Sequence, residues 1–199
     1  MIKNIVVVGS GKGGVGKSTV SINLSVAISK LKKCSVGLLD ADIYGPSIPK
    51  MLGIKEKPIM SSNKKIIPYE KFGIKSMSIG NMIPEDNAVI WRGVMASNAI
   101  KQFLRDVDWG NLDYLIIDLP PGTGDIHLSL CQSLSIRGAV VVSSPQEISL
   151  IDVRKAIGMF EKVNVPVLGL IQNFSYLKVN NEQKNYIFGK DGVIREAKR

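Results

Sequence analysis

The amino-acid sequence predicts an α/β fold in which a mostly parallel β-sheet carries helices on both faces. Short apolar runs rich in Val, Ile and Leu recur along the chain, and segments with helical spacing of apolar residues lie between them. Strands that alternate with helices in this way form parallel sheets with right-handed crossovers. A glycine-rich loop joins the first predicted strand to the first predicted helix. The predicted strands are 2–8, 36–39, 114–117, 139–142 and 167–171.

The glycine-rich loop has the spacing of a phosphate-binding loop, G-x-x-x-x-G-K-[ST], which predicts a P-loop NTPase. Its glycines let backbone N–H groups converge on an anion, and the following helix points its positive dipole end at the same place. We expect Lys17 to neutralise the β- and γ-phosphate oxygens of ATP and Ser18 to enter the shell of Mg²⁺. The predicted nucleotide ligands are Gly11, Lys12, Gly13, Gly14, Val15, Gly16, Lys17, Ser18 and Thr19.

A second motif competes for the same loop. Gly9, Gly11 and Gly14 fit G-x-G-x-x-G, the fingerprint of dinucleotide-binding folds, and Asp40 ends the next strand near the position of the expected acidic residue. That interpretation leaves Lys17 and its neighbour unexplained, whereas the phosphate-loop pattern uses both. The phosphate-binding loop is therefore the favoured hypothesis.

Aspartates end two of the predicted strands, where ligand groups of open α/β sheets cluster. Asp118 is predicted to bind Mg²⁺, and Gly122 lies in a following loop of the kind that senses a γ-phosphate. Asp42 is favoured over Asp40 for orienting the attacking water and for sharing the metal site, and Asp40 is predicted either to be structural or to support the groups that bind the metal. The segment 44–49 is predicted to be irregular and is a candidate switch.

Helices are predicted over 19–31, 94–103, 126–134 and 148–160, and one or two short strands within 55–88. Lys12 is a second lysine in the loop, and it is either a solvated side chain or an extra cation for this or a neighbouring subunit's nucleotide. His127, on a predicted helix, is expected to have no special role. Asn173 ends a strand on the site side, where it either contacts the base or caps a turn.

Length and composition predict a single domain over residues 1–199. No apolar run reaches the roughly 18 residues of a membrane span, and the chain enters a strand at once, so neither a membrane segment nor a signal peptide is expected. Cys34 and Cys131 are far apart and in no metal spacing, as expected of inert thiols in the reducing cytoplasm. The net charge is +9, but the lysines are dispersed, which favours a solvated basic surface over the binding of nucleic acid or of an acidic partner.

Several of these segments together resemble one known family. The loop at 12–19, Lys-Gly-Gly-Val-Gly-Lys-Ser-Thr, resembles the deviant phosphate loop of the MinD/ParA/nitrogenase-iron-protein (SIMIBI) class of P-loop ATPases. Within that class the chain is similar to the Mrp-type (ApbC-like) iron–sulfur cluster carriers, and the similarity runs from the first residue to about 192. The segments that carry it are 40–49 (DADIYGPSIP), 91–95 (WRGVM), 118–125 (DLPPGTGD), 144–147 (SPQE) and 173–176 (NFSY).

The resemblance implies a homodimeric, slowly hydrolysing Mg-ATPase that delivers iron–sulfur clusters to apo client proteins in the cytoplasm. It implies that Lys12 reaches the partner's nucleotide, so that Lys12, Lys17 and Asp42 form the catalytic set. It further implies that Asp42 lies in the first switch, that Asp118 and Gly122 lie in the second, and that Asn173 contacts adenine.

Two departures from the family pattern accompany the resemblance. The family places Cys-Pro-x-Cys shortly after the Asn-x-Ser-Tyr segment to hold a bridging cluster, whereas 177–185 contains no cysteine. The chain also stops at Arg199, before the last strand and helix expected of the family. A MinD/ParA-type positioning switch that binds membrane or DNA is the alternative function. Membrane-targeting members of that group end in an amphipathic basic helix, and 194–199 is too short for one.

Overall fold

The central feature of the fold is a seven-stranded β-sheet with the order β5-β6-β2-β7-β1-β8-β9 in the described part of the chain. The computed structural model describes residues 1–43, 45–82, 93–179 and 183–199. The sheet pairs are parallel except for the edge pair β5–β6. The strands are β1 Ile2–Gly9, β2 Val36–Asp40, β3 Ile59–Met60, β4 Ile66–Ile67, β5 Tyr69–Lys71, β6 Ile74–Ser78, β7 Leu112–Asp118, β8 Ile136–Ser143, β9 Val167–Gln172, β10 Leu177–Lys178 and β11 Lys184–Asn185.

Helices cover both faces of this sheet. They are α1 Lys17–Lys32, α2 Ile48–Met51, α3 Gly93–Asp106, α4 Asp125–Ser133, α5 Glu147–Lys162 and α6 Gly192–Ala197, and a 3₁₀ turn spans Ile79–Met82. Because side chains alternate along a strand, Val6 and Val8 of β1 pack with the α1 and α2 side while Val7 packs with the side of α3, α4 and α5. The predicted fold class is confirmed.

The parallel register brings the polar strand ends to one edge of the sheet. Asp118 at the end of β7 is paired with Asp40 of β2 on one side and with Val8 of β1 on the other. The loop between Gly9 and α1 leaves the sheet at this same edge. The expectation that the acidic strand ends lie beside the glycine-rich loop is therefore met by the sheet topology.

The five predicted strands are present, but the prediction for 55–88 is wrong in number. Four strands, β3 to β6, lie within it, and β6 joins the central sheet beside β2. The pairing of β6 with β2 joins segments that are about 40 residues apart in the sequence. The five residues of β6 alone therefore could not indicate it. Helix α3 extends beyond the predicted end at 103, and the short elements β10, β11 and α6 were not predicted at all. Trp91, Arg92 and part of the polar tail (180–182) lie outside the described residues.

The candidate switch at 44–49 is irregular only at its beginning. Helix α2 begins at Ile48, so the prediction is wrong for the last two residues. Pro49 is tolerated there because the first turn of a helix does not need its N–H groups for intrahelical bonds. Tyr44 lies outside the described residues. No helix among the described residues has the length and apolarity to cross a bilayer.

Candidate nucleotide-binding site

The glycine-rich loop adopts a conformation that depends on its glycines. Gly14 and Gly16 have φ of 78° and 81°, in the left-handed region that favours glycine. A Cβ atom on Gly11 would collide with the backbone carbonyl of Asp152 in α5, so the loop packs directly on that helix. The first turn of α1 carries no acidic residue, and Gly16 offers no capping side chain. The amides at the start of α1 are therefore available to an anion.

Lys17 begins α1 and is almost fully buried, with 6% of its surface exposed. Its Nζ lies 2.8 Å from Oδ2 of Asp118, which is completely buried at the end of β7. Buried charges in proteins require such a partner, because burial removes the hydration of each ion. The pair places a cation and a carboxylate directly beneath the glycine-rich loop.

Two hydroxyl groups complete the surroundings of the Asp118 carboxylate. Ser18 Oγ donates a 2.6 Å hydrogen bond to Oδ2, and Ser21 Oγ donates one of 2.6 Å to Oδ1. These distances are typical of charge-assisted hydrogen bonds to an ionised carboxylate. Ser18 was predicted to act here, whereas the sequence analysis did not single out Ser21. Its position one helical turn after Lys17 was the available signal.

Asp40 binds the backbone just before and within the first candidate switch through its carboxylate. It is fully buried, and it accepts hydrogen bonds from Asp42 N at 3.1 Å, Ile48 N at 3.2 Å and Ser78 Oγ at 3.2 Å. Burial, followed by the nearby charge of Asp118, raises the pKa of Asp40 to about 7. This residue therefore holds the start of α2 and the end of β6 beside the site.

Asp42 is half-buried and lines the open pocket above the loop. Its Oδ1 accepts a 3.2 Å hydrogen bond from Gly45 N. The pocket has a volume of about 220 Å³. The predicted residues that line it are Gly13, Gly14, Gly16, Lys17, Ser18, Thr19 and Asp42, and the structure adds Ser10, Gly45, Ser47, Met51 and Pro121.

The second candidate switch is tied to the glycine-rich loop through its backbone. Gly122 has φ of 96° and donates a 2.9 Å hydrogen bond from its N–H to the carbonyl of Ser10. Behind it, His127 of α4 is buried, and its Nε2 lies 2.8 Å from the Pro120 carbonyl. Burial lowers the pKa of His127, so the neutral imidazole donates through Nε2. The Nδ1 atom is buried and makes no hydrogen bond within the described part of the chain. The sequence did not indicate this hydrogen bond to Pro120, and the expectation that His127 has no special role stays a prediction.

The remaining predicted residues flank the pocket rather than line it. Asn173 donates a 2.9 Å hydrogen bond from Nδ2 to the carbonyl of Val15 and packs against Gly16, so its amide braces the loop. Val15 is buried in the core below, and Lys12 is exposed at the turn of the loop. The adenine contact of Asn173 and the action of Lys12 across a dimer stay predictions.

The two cysteines lie in different parts of the fold. Cys34 is half-buried in the connection between α1 and β2, at the end of α1 that is away from the phosphate loop. Cys131 is buried in α4, and burial raises the pKa of its thiol to about 11. Among the described residues, no group of three or more His, Cys, Asp or Glu side chains could hold a metal ion.

Comparison with known proteins gives the family. The family described as NUBPL iron-transfer P-loop NTPase, of the ParA type, matches residues 1–199. The chain belongs to this family. Membership confirms the phosphate-binding loop over the dinucleotide interpretation, because the Lys17–Ser18 pair that distinguishes the two belongs to the P-loop motif.

Relatives of the family are similar over nearly the whole chain. The chain is 54% identical over 199 residues to an iron–sulfur cluster carrier protein of Aquifex aeolicus, covering 98% of this chain and 54% of that protein. It is 50% identical to the iron–sulfur cluster transfer protein NUBPL of Mus musculus, covering 98% of this chain and 62% of that protein. The chain thus spans between half and two thirds of the length of these relatives.

Solved structures support the same assignment. A nucleotide-binding protein from Archaeoglobus fulgidus, solved in complex with ADP, is 41% identical with a TM-score of 0.85, covering 99% of this chain and 77% of that one. The septum site-determining protein MinD from Pyrococcus horikoshii, complexed with Mg-ADP, is 25% identical with a TM-score of 0.64, covering 93% and 74%. Both share the fold of this NTPase family.

Proposed function

We propose that this chain binds Mg-ATP in the pocket above its glycine-rich loop and hydrolyses it slowly to drive the delivery of iron–sulfur clusters. The observation that carries the proposal is the buried Lys17–Asp118 pair with Ser18 at the same carboxylate oxygen. A lysine, a hydroxyl and a carboxylate at the base of an anion-binding loop are the groups that phosphoryl transfer needs. The ADP complex of the 41% identical relative supports the same ligand class.

In this proposal the positively charged and N–H groups of the chain bind the phosphates, and its oxygen-bearing side chains bind Mg²⁺. The loop amides and Lys17 hold the β- and γ-phosphates, so that the ammonium leaves Asp118 for the nucleotide. Ser18, Asp42 and Asp118 supply hard oxygen atoms of the kind Mg²⁺ prefers, and their chemistry fits that ion. Bound Mg²⁺ would neutralise charge on the transferring phosphoryl group. Asp42, which lines the pocket, orients the attacking water.

The proposed working form is a homodimer in which Lys12 acts on the partner's nucleotide. Lys12 is exposed at the turn of the loop, which suits a cation that serves a second subunit. Such a group contributes mainly in the transition state, so it raises turnover more than affinity. The adenine contact proposed for Asn173 would use its carbonyl oxygen or the second N–H of its Nδ2, because one N–H is donated to the Val15 carbonyl.

The proposed cargo is an iron–sulfur cluster handed to apo client proteins. Two relatives are named as cluster carrier or transfer proteins, which favours this function over a MinD/ParA-type positioning switch. Cluster ligands are normally four cysteine thiolates, and Cys34 and Cys131 stem from separate elements. We therefore propose that the cluster's thiolates come from outside these 199 residues, in the reducing cytoplasm.

Calorimetry with ATP and Mg²⁺ tests the nucleotide part of this proposal. Lys17→Ala should abolish binding, because the phosphates lose their main fixed countercharge. Lys12→Ala is the matched control, since it removes an equal charge from the same loop and should retain binding. Unchanged ATP affinity in the Lys17 variant would refute the site. Transfer of a cluster to an apo-[4Fe–4S] acceptor, with and without ATP, tests the cargo separately.

A further inference from the structure

The two oxygens of the Asp118 carboxylate have different partners. Oδ2 receives both Lys17, at 2.8 Å, and Ser18, at 2.6 Å. Oδ1 is bound at 2.6 Å by Ser21, whose side chain is fully buried in α1 one helical turn beyond the lysine. The carboxylate is thus held from the pocket side by two groups and from the core side by one.

These partners respond differently to a nucleotide. In the proposed function Lys17 and Ser18 are both needed by the phosphates and the metal ion, so their contacts with Oδ2 are exchanged when a nucleotide binds. Ser21 faces the core, where no ligand can compete for its hydroxyl. Its hydrogen bond to Oδ1 can therefore persist while Oδ2 is released.

The hydroxyl of Ser21 has a choice of acceptors. Its Oγ lies 3.1 Å from the carbonyl of Lys17 as well as 2.6 Å from Oδ1. A hydroxyl has a single proton, and a bond to an ionised carboxylate is about twice as strong as one to a neutral carbonyl. The proton therefore goes to Asp118, and this serine does more than satisfy its own helix.

We propose that Ser21 is a positioning residue that fixes the orientation of the Asp118 carboxylate for the Mg²⁺-bound nucleotide. This inference rests on the proposed Mg-ATP site and adds a residue to it. Without the Ser21 hydroxyl, the buried Oδ1 atom of Asp118 loses its hydrogen-bond donor. The carboxylate can then rotate about its Cβ–Cγ bond once Lys17 and Ser18 have exchanged their contacts with Oδ2 for the nucleotide and the metal ion. The deficit appears only when Mg²⁺ is present, because nucleotide alone is held by the loop amides and Lys17.

Ser21→Ala, with Ser25→Ala as a matched control, tests the proposal. Ser25 is also fully buried in α1, and its hydroxyl donates to the helix carbonyl of Ser21, at 2.7 Å, and to no carboxylate among the described residues. Calorimetry with a non-hydrolysable ATP analogue is run once with Mg²⁺ and once with a chelator. The comparison separates the affinity that depends on Mg²⁺ from the affinity for the nucleotide alone. We expect Ser21→Ala to lose about tenfold in affinity with Mg²⁺, as for a hydrogen bond to a charged group, and nothing in chelator. Ser25→Ala should match the wild type in both, and Ser21→Thr, which keeps a hydroxyl, should restore affinity.

Two results would overturn the inference. The first is a folded Ser21→Ala variant whose affinity for the ATP analogue depends on Mg²⁺ as in the wild type. The second is an equal loss of affinity in the Ser21 and Ser25 variants, which would indicate a merely structural role. If Ser21→Ala does not fold in thermal melts, Ser21→Cys keeps the volume with only a weak S–H donor and must show the same Mg²⁺-specific loss. Absence of nucleotide binding in the wild type would instead refute the proposed function itself.

Discussion

Lys17 Nζ lies 2.8 Å from Asp118 Oδ2, and neither side chain has more than 7% of its surface exposed. The lysine is thus paired with the carboxylate that the proposed site uses for Mg²⁺. The pair lets the cation be buried before any phosphate arrives, because each charge compensates the other. It also means that nucleotide binding must exchange one partner of Lys17 for another.

The buried ion pair between Lys17 and Asp118 predicts an effect on stability that can be measured without nucleotide. Lys17→Ala should lower the free energy of unfolding by about 3–5 kcal/mol, because the buried Asp118 carboxylate loses its partner cation. Lys17→Met combined with Asp118→Leu should recover much of the loss, since no unpaired charge remains. Urea unfolding without nucleotide measures both. Equal destabilisation by the single and the double variant would show that the ion pair is not the cause.

The packing of the loop on α5 predicts different effects for two neighbouring glycines. Gly11→Ala should lower stability by about 1–3 kcal/mol, because its Cβ would overlap the Asp152 carbonyl. Gly13→Ala is the control, since its Cβ would meet only Pro121 Cβ at 3.9 Å, an ordinary contact. Thermal unfolding without nucleotide measures the difference. A Gly11 variant as stable as the Gly13 variant would contradict this packing.

The proposed dimer predicts rescue between two inactive variants. Lys12→Ala and Asp42→Asn should each bind ATP and lose most turnover, because both residues act mainly in the transition state. A mixture should regain about a quarter of wild-type turnover, because half of randomly assembled dimers are mixed and one of their two sites has both intact residues. Phosphate release measures the turnover. No rescue in demonstrably mixed dimers would place Lys12 in its own subunit's site or outside catalysis.

His127 predicts part of the dependence of stability on pH. Burial is the main cause that lowers its pKa; Lys17 lowers it further, while the Pro120 and Gly124 carbonyls and Asp42 raise it. Between the unfolded pKa of about 6.5 and the lower folded pKa, the unfolded chain binds more protons. The contribution of His127 to stability is therefore full above about pH 6.5 and decreases as the pH falls.

The variant His127→Gln isolates this contribution. The glutamine amide can still donate to the Pro120 carbonyl but does not titrate. The difference in free energy of unfolding between wild type and variant should therefore shrink steadily as the pH is lowered from about 7.5 to about 5.5. Asp40, with a pKa near 7 in the folded chain, stabilises the fold as the pH falls, but it is present in both proteins. Urea unfolding across this range gives the difference. A difference independent of pH would show that His127 is not held neutral by burial.

The separation of the two cysteines predicts a negative result in cluster reconstitution. Purified without oxygen and supplied with iron and sulfide, the chain should bind ATP yet hold no stoichiometric bridging cluster, since a symmetric site needs two thiolates per subunit close together. Iron analysis and the iron–sulfide absorbance band measure this. About two irons per subunit, lost in Cys34→Ser or Cys131→Ser, would contradict the prediction.

Local patterns in the sequence determined the fold class and the phosphate-binding loop. Glycine spacing, the Lys17–Ser18 pair and the acidic ends of buried strands each depend on a few adjacent residues, so they can be recognised without coordinates. Helix α2 and the pairing of strand β6 with β2 escaped prediction, because α2 depends on hydrogen bonds to Asp40 and the pairing is a contact of the folded chain.

Only the tertiary structure decided which side chains meet at the site. Ser21 and Asp118 are 97 residues apart, Asn173 and Val15 are 158 apart, and neither contact has a spacing that a sequence motif could encode. Each forms because the parallel sheet brings the ends of β1, β7 and β9 and the start of α1 to the same edge. Ser21 and Ser25 are both buried serines of α1, and Ser21 binds the Asp118 carboxylate because the sheet places the end of β7 beside it.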